Sequence, residues 1–139
     1  MNRSSNQFQL PGLVNKSIFT IWICSLAVIV FFSLEPSLTT QTRHLDKAIH
    51  LLSYLWLAML LMICLRSNKW LLLAPVSLIV LGIGLEIIQA YIPGRFFSVP
   101  DMISNSLGVV AGALLGRKIK SLLARVLAES KKLEARSKK

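Results

Sequence analysis

Acidic residues are scarce in this sequence, with six Asp and Glu among 139 residues against 16 Lys and Arg. Charged residues of both signs make up only 16%, whereas 54% are hydrophobic and the mean hydropathy is +0.62. So little charge on so much apolar surface excludes an ordinary water-soluble domain. Cysteine is equally sparse. Cys24 and Cys64 stand singly inside apolar runs, with no CxxC pair and no metal-ligand spacing, which leaves them as packing residues. With two histidines and no His-rich tract, no metal site is expected. No GxSxG element marks a nucleophile, and Ser53, Ser98, Ser104 and Ser106 sit in ordinary contexts. The first apolar run lacks a small-residue cleavage site, so it reads as a retained span rather than a signal peptide.

What the chain has in quantity is long apolar runs. They cover 17–34, 48–65, 70–90 and 102–116, to be compared with the roughly 20 residues an α-helix needs to cross the hydrocarbon core. The fourth is the shortest. Asp101, following Pro100, is expected to cap its start, and the helix is expected to continue past Arg117. The expected fold is therefore all-α: a polytopic membrane protein, a bundle of four transmembrane helices with a basic cytoplasmic C-terminal helix or tail. Its divisions are an N-terminal segment 1–16, a membrane domain 17–116 and a tail 117–139.

Basic residues set the orientation. Arg3 and Lys16 lie before the first run, Arg66 and Lys69 between the second and third, and nine of the 16 basic residues after residue 116. These segments alternate across four spans, which puts both termini in the cytoplasm and turns 35–47 and 91–101 outward. The tail, with Leu122, Leu123, Val126, Leu127 and Leu133 at helical intervals, fits a membrane-surface helix beside anionic lipid. Nucleic acid is not expected as a partner, because no aromatic-basic platform accompanies the charge. Trp22, Trp56, Trp70, Tyr91, Phe96 and Phe97 call for no ligand, and the last four belong at the membrane interface.

The exceptions to apolarity concentrate at one level. At ~1.5 Å rise per residue, Glu86 lies about 6 Å below the end of the third run, Asn105 about 6 Å below Asp101, and His50 at a similar depth below Asp46. Helical spacing gives three polar stripes: Asp46, His50 and Ser53; Gly82, Glu86 and Gln89; Asp101, Asn105 and Gly108. Gly108, Gly112 and Gly116 continue the last as a small-xxx-small row, which lets helices pack closely in lipid. Pro93 and Gly94 suit the centre of a type II turn that would aim Arg95 at these helix ends, where it would pair with Glu86 or Asp101 and face an anionic ligand. Carboxylates and a histidine within an apolar span are costly to hold there, and their convergence points to a site.

"LDKAIHLLSY" and "GLEIIQAYIPGRFFSVPDMISNSLG", with the glycine row after them, resemble the VanZ-like family of bacterial membrane proteins. The shared pattern falls on Asp46, Lys47 and His50, then Glu86 and Gln89, Gly94 and Arg95, and Asp101 and Asn105, and covers roughly 45–116. Tyr54 matches an aromatic position the family often shows. The resemblance implies a small membrane domain sometimes linked to teicoplanin resistance, and names no cofactor or reaction. On this reading His50 and Glu86 are the candidate proton-transfer pair. Lys47, Tyr54, Gln89, Arg95, Asp101 and Asn105 are ligand-binding candidates, and Asp46, Gly94, Gly108, Gly112 and Gly116 are structural. The expected partners are the bilayer and an anionic envelope precursor or lipid headgroup; a noncatalytic scaffold is the alternative.

The topology has a direct check. Ser98→Cys should react with an impermeant thiol reagent from outside intact cells and Ser137→Cys only after permeabilisation, whereas the opposite labelling would invert the site.

Overall fold

The computed structural model describes residues 10–35, 43–65 and 70–138. Arg3, Arg66, Lys69 and Lys139, used above for orientation, lie outside the described residues. The chain forms four helices: α1 Gly12–Leu34, α2 Arg43–Cys64, α3 Trp70–Gln89 and α4 Val99–Ser137. Three are long and apolar enough to cross a membrane: all of α1, α2 from Leu45 onward, and all of α3. Helix α4 runs unbroken for 39 residues, on the order of 58 Å. Its apolar stretch occupies only the first half, so by composition it is not one of these three. The basic tail is the second half of that helix rather than a separate element.

The start of α4 corrects the sequence reading. Ser98, not Asp101, is the N-cap: its Oγ accepts the Asp101 backbone N–H at 3.4 Å, and Pro100 sits within the first turn. Proline is tolerated there because its missing N–H would have had no intrahelical partner. Asp101 falls in the first turn instead, where a carboxylate complements the positive end of the helix dipole.

Helices α2 and α4 make the closest contact. A Cβ placed on Gly108 or Gly112 would collide with the carbonyl oxygen of Leu51 or Leu55, and one on Gly116 would lie 2.6 Å from that of Met59. The contacts step along both helices together, so α2 and α4 run parallel, backbone against backbone. Tyr54, Leu57 and Ala58 of α2, Leu78 of α3 and Val109 of α4 form the main buried cluster. Met62, Ala74 and Ala113 form a second.

Helix α1 has no buried residue and leans on α2. Trp22 Nε1 donates to the Leu57 carbonyl at 3.0 Å and Trp56 Nε1 to Ser25 Oγ at 3.1 Å, so the N–H of each indole has a partner within the protein. Large side chains such as Leu13, Phe31, Leu72, Val80 and Leu114 face outward from the bundle. Apolar surface on this scale is what a bilayer covers.

Two residues at the start of the tail complete backbone groups of other helices. Pro75 lies inside α3, and its missing N–H takes the intrahelical partner from the carbonyl four residues earlier, at Leu71. Arg117 Nη2 donates to that carbonyl at 2.8 Å. Lys120 Nζ likewise donates to the carbonyl of Leu65, just past the end of α2.

The glycine contact makes a sharp prediction. Gly112→Ala should lower thermal stability in detergent by about 1–3 kcal/mol or more, because the added methyl meets backbone that cannot rotate away. Gly84→Ala, where nothing lies within 4 Å of the new carbon, should leave melting unchanged or slightly raised. Equal behaviour of the two variants would contradict the packing described.

Candidate functional site

The polar stripes converge at the end of the bundle where α3 stops and α4 begins. Glu86 and Gln89 end α3 fully buried, at 1% and 3% exposure, and Asp101 and Asn105 begin α4 at 8% and 3%. Asp46 and His50 occupy the start of α2, half-buried. Between α3 and α4 the chain reverses at Ile92, Pro93, Gly94 and Arg95. The Arg95 N–H donates to the Ile92 carbonyl at 3.1 Å, and Gly94 takes the positive φ of 83° required at the third position of a type II turn. A side chain at that φ would be strained, which accounts for glycine there.

Two interactions fix the carboxylate and the imidazole. Glu86 Oε2 accepts the Ser98 backbone N–H at 3.3 Å, so α3 holds the residue that caps α4. His50 Nδ1 lies 3.1 Å from Asn105 Oδ1. An amide oxygen only accepts, so Nδ1 carries the hydrogen and Nε2 turns toward Asp46 Oδ1, 3.9 Å away. Glu86 lies within electrostatic range of His50, Asp101 and Asp46.

Arg95 departs from expectation. It makes no ion pair with Glu86 or Asp101 among the described residues; its Nη2 donates instead to the carbonyls of Glu35 at 2.9 Å and Phe32 at 3.4 Å. Gln89 Nε2 does the same at the same helix end, reaching the Ser33 carbonyl at 2.6 Å and Ser33 Oγ at 2.7 Å. The reason is local. The last turn of α1 contains no basic residue, and the last four carbonyls of any helix lack intrahelical donors and carry partial negative charge. A guanidinium and an amide from the α3–α4 region supply what α1 does not. The Nε of Arg95 and the hydroxyl of Tyr54 remain buried without a partner among the described residues.

Two cavities open onto this cluster. One, of about 460 Å³, is polar and lined by Asp46, Lys47, His50, Gln89, Gly94, Arg95 and Asp101, among others. The second, of about 440 Å³, runs between α1 and α2 along Val28, Ile29, Phe32, Ile49, Ser53 and Tyr54. Asp46, His50 and Arg95 line both. The sequence-derived candidates thus divide: seven border the polar cavity, Tyr54 borders the apolar one, Glu86 and Asn105 stand behind it as buried partners, and Gly108, Gly112 and Gly116 lie along the helix contact. Sequence reasoning missed Ser98 as cap and Glu86 partner, and Ser33 as the anchor for Gln89. The signal for Ser33 was the absence of a glycine or basic cap at the end of the first run.

An all-α chain with three membrane-capable helices and charged groups gathered at one end is a multi-pass membrane protein. The VanZ/LLP1 family profile matches residues 3–123, most of the chain, and the chain belongs to that family. The match takes in α1 and the first turns of the tail as well as the region that carries the motif. No curated protein and no solved structure matches the chain significantly.

The role of Gln89 is testable by shape-preserving substitution. Gln89→Leu removes the donor from the Ser33 carbonyl and should cost about 1–3 kcal/mol of stability, read as a lowered melting temperature. An unchanged temperature would mean that Arg95 alone holds the end of α1.

Proposed function

We propose that the polar cavity receives the anionic headgroup of a membrane-anchored cell-envelope compound whose chain lies in the apolar cavity between α1 and α2. The observation that carries this reading is the pair of adjoining cavities, one polar and one apolar, with Asp46, His50 and Arg95 in the wall of both. A ligand that fits both is an amphiphile. Lys47 and the free Nε edge of Arg95 supply positive charge for phosphate or carboxylate. Gln89, Asp101 and Asn105 position the polar wall, and Tyr54 offers its hydroxyl from the apolar side. His50, which borders both cavities, is the group suited to moving a proton on the bound headgroup, with Glu86 buried behind it as its relay.

In this reading α4 is the fourth span, the site faces the outer leaflet of a bacterial inner membrane, and both termini are cytoplasmic. The division into segment 1–16, membrane domain 17–116 and tail 117–139 follows from it. Headgroup handling at that surface is also the chemistry through which an envelope-targeting glycopeptide such as teicoplanin would meet the protein.

A second reading, a noncatalytic scaffold, is favoured by the bonds from Gln89 and Arg95 to α1, which use two candidate binding residues as interhelical ties. Glu86→Gln separates the two. It keeps the size and hydrogen-bonding capacity of the side chain while removing the proton carrier. In nanodiscs, native mass spectrometry of the wild type should retain anionic lipid over zwitterionic lipid, and Lys47→Gln should abolish that preference. Stable Glu86→Gln protein should still bind, yet fail to restore the precursor profile and teicoplanin susceptibility of a deletion strain. Full complementation by Glu86→Gln would defeat the proton-transfer role, and equal retention of both lipid classes would defeat the headgroup site.

A further inference from the structure

The polar cavity brings Asp46, His50 and Asp101 together in one wall, beside Lys47 and Arg95. We infer that Asp46, His50 and Asp101 bind a divalent transition cation of the Mn²⁺ or Zn²⁺ class. One ligand atom from each residue lies within 4.8 Å of the other two, a spread that small rotamer adjustments close onto a single ion.

Three observations point to a cation rather than to a chance grouping. Asp101 is 8% exposed, and among the described residues its carboxylate has no hydrogen-bond or ion-pair partner, although it borders the cavity. Its backbone N–H is committed to the Ser98 cap, so the side chain is the free part of the residue. A buried carboxylate without a counter-charge is strongly disfavoured.

His50 supplies the second observation. With Nδ1–H donating to Asn105 Oδ1 at 3.1 Å, the Nε2 lone pair is turned toward Asp46 Oδ1 across 3.9 Å. That separation is too long for a hydrogen bond and sets two electron-pair donors face to face. A proton on Nε2 would serve one such pair, whereas a divalent ion serves all three ligands. Fixing one imidazole nitrogen through an amide or carboxylate while the other meets the metal is how proteins orient a histidine ligand.

The third observation is the charge balance. Glu86 stands within electrostatic range of Asp46 and Asp101, while Arg95 Nη2, the cation expected to neutralise them, is bonded to α1 carbonyls. Lys47 borders the cavity but forms no ion pair among the described residues. Two carboxylates and one imidazole suit a borderline divalent ion better than Ca²⁺ or Mg²⁺, which favour all-oxygen sites. The inference also deepens the proposed headgroup reading, on which it rests, with His50 then anchoring the cation instead of carrying a proton. The coordination positions left over would face the polar cavity, where a phosphate oxygen would complete them, so the cation would add to the positive charge that Lys47 and Arg95 present to an anion.

The cation is tested without any lipid ligand. Wild-type protein purified in detergent and stripped with chelator should bind Mn²⁺ saturably at one site per chain by electron paramagnetic resonance. Co²⁺ as a spectroscopic stand-in should give ligand-field bands that change with imidazole ligation. Asp101→Asn and His50→Gln should each weaken Co²⁺ binding at least tenfold at unchanged helix content. Asn105→Leu, which removes only the orienting contact, should weaken it by about 10–100-fold. Should Asp101→Asn fail to fold, His50→Gln and Asn105→Leu carry the same comparison. Absence of saturable Mn²⁺ and Co²⁺ binding by folded wild type, or binding unaltered in all the folded variants, would overturn the inference. If the cation binds but added short-chain phosphatidic acid does not tighten it, the metal site stands and the headgroup reading falls.

Discussion

Everything at the polar end of the bundle depends on how closely α4 lies on α2. Gly108, Gly112 and Gly116 present no side chain to Leu51, Leu55 and Met59, and the backbones meet directly. Contact of this kind fixes facing as well as distance, because turning α4 by one residue would bring Leu107 or Leu115 against the carbonyls of α2. The register is what places His50 beside Asn105, 55 residues apart in sequence. The same separation relates Asp46 to Asp101, one turn nearer the surface. A single packing decision deep in the bundle therefore assembles two polar pairs at its rim. Helix α3 follows by a second close fit, since a Cβ on Gly82 would lie 3.1 Å from the Tyr54 hydroxyl, and the turn at Gly94 returns the chain to α4.

A second constraint explains why so many of the polar residues touch backbone. Within apolar surroundings a helix end has no water to satisfy its last carbonyls, and a proline inside a helix adds one more orphan. Gln89 and Arg95 answer this for α1, Arg117 answers it for Leu71 upstream of Pro75, and Lys120 for Leu65. Arg95 consequently has two duties, since its Nη2 holds α1 while the residue also borders both cavities. A variant at Arg95 would mix loss of α1 anchoring with loss of cavity charge. Lys47 and Glu86, which form no hydrogen bond or ion pair with α1 among the described residues, separate those effects more cleanly.

This division also explains what was legible in the sequence. Periodicity gave the helices, the depth and face of Glu86, His50 and Asn105, the glycine row, and the turn at Pro93 and Gly94, because each of these is set by residues within one or two turns of one another. Three features were not legible. The cap of α4 fell on Ser98 rather than Asp101, since the tolerance of the first turn for proline let the helix begin one residue before Pro100. The partner of Arg95 was a helix end rather than a carboxylate, because an unmet carbonyl leaves no side-chain signature. The fourth helix continues past Arg117 as expected, but the bonds of Arg117 and Lys120 to the carbonyls of Leu71 and Leu65 were not legible, because an unmet carbonyl gives no side-chain pattern. In the last two cases the competing demand came from a backbone group distant in sequence.

The placement of α1 bears on how an amphiphile would reach the site. This helix is tied to α2 through Trp22 and Trp56 and to the α3–α4 region through Ser33 and Glu35, yet none of its residues is buried. Between those ties, Val28, Ile29 and Phe32 form one wall of the apolar cavity and Ile49 and Ser53 of α2 the other. A wall built from one outlying helix leaves the cavity bordered by the surrounding lipid rather than by a third layer of protein. A chain entering from the bilayer would then travel along the α1–α2 seam and bring its headgroup to Asp46, His50 and Arg95 without leaving the membrane. The polar end has the complementary property, since Asp101 and Glu86 are held behind the rim by the start of α4. The glycine contact fixes that rim, whereas α1 is joined to it only through hydrogen bonds. The bundle thus sets a rigid polar end beside a more lightly packed seam, the order of rigidity that the proposed headgroup reading requires.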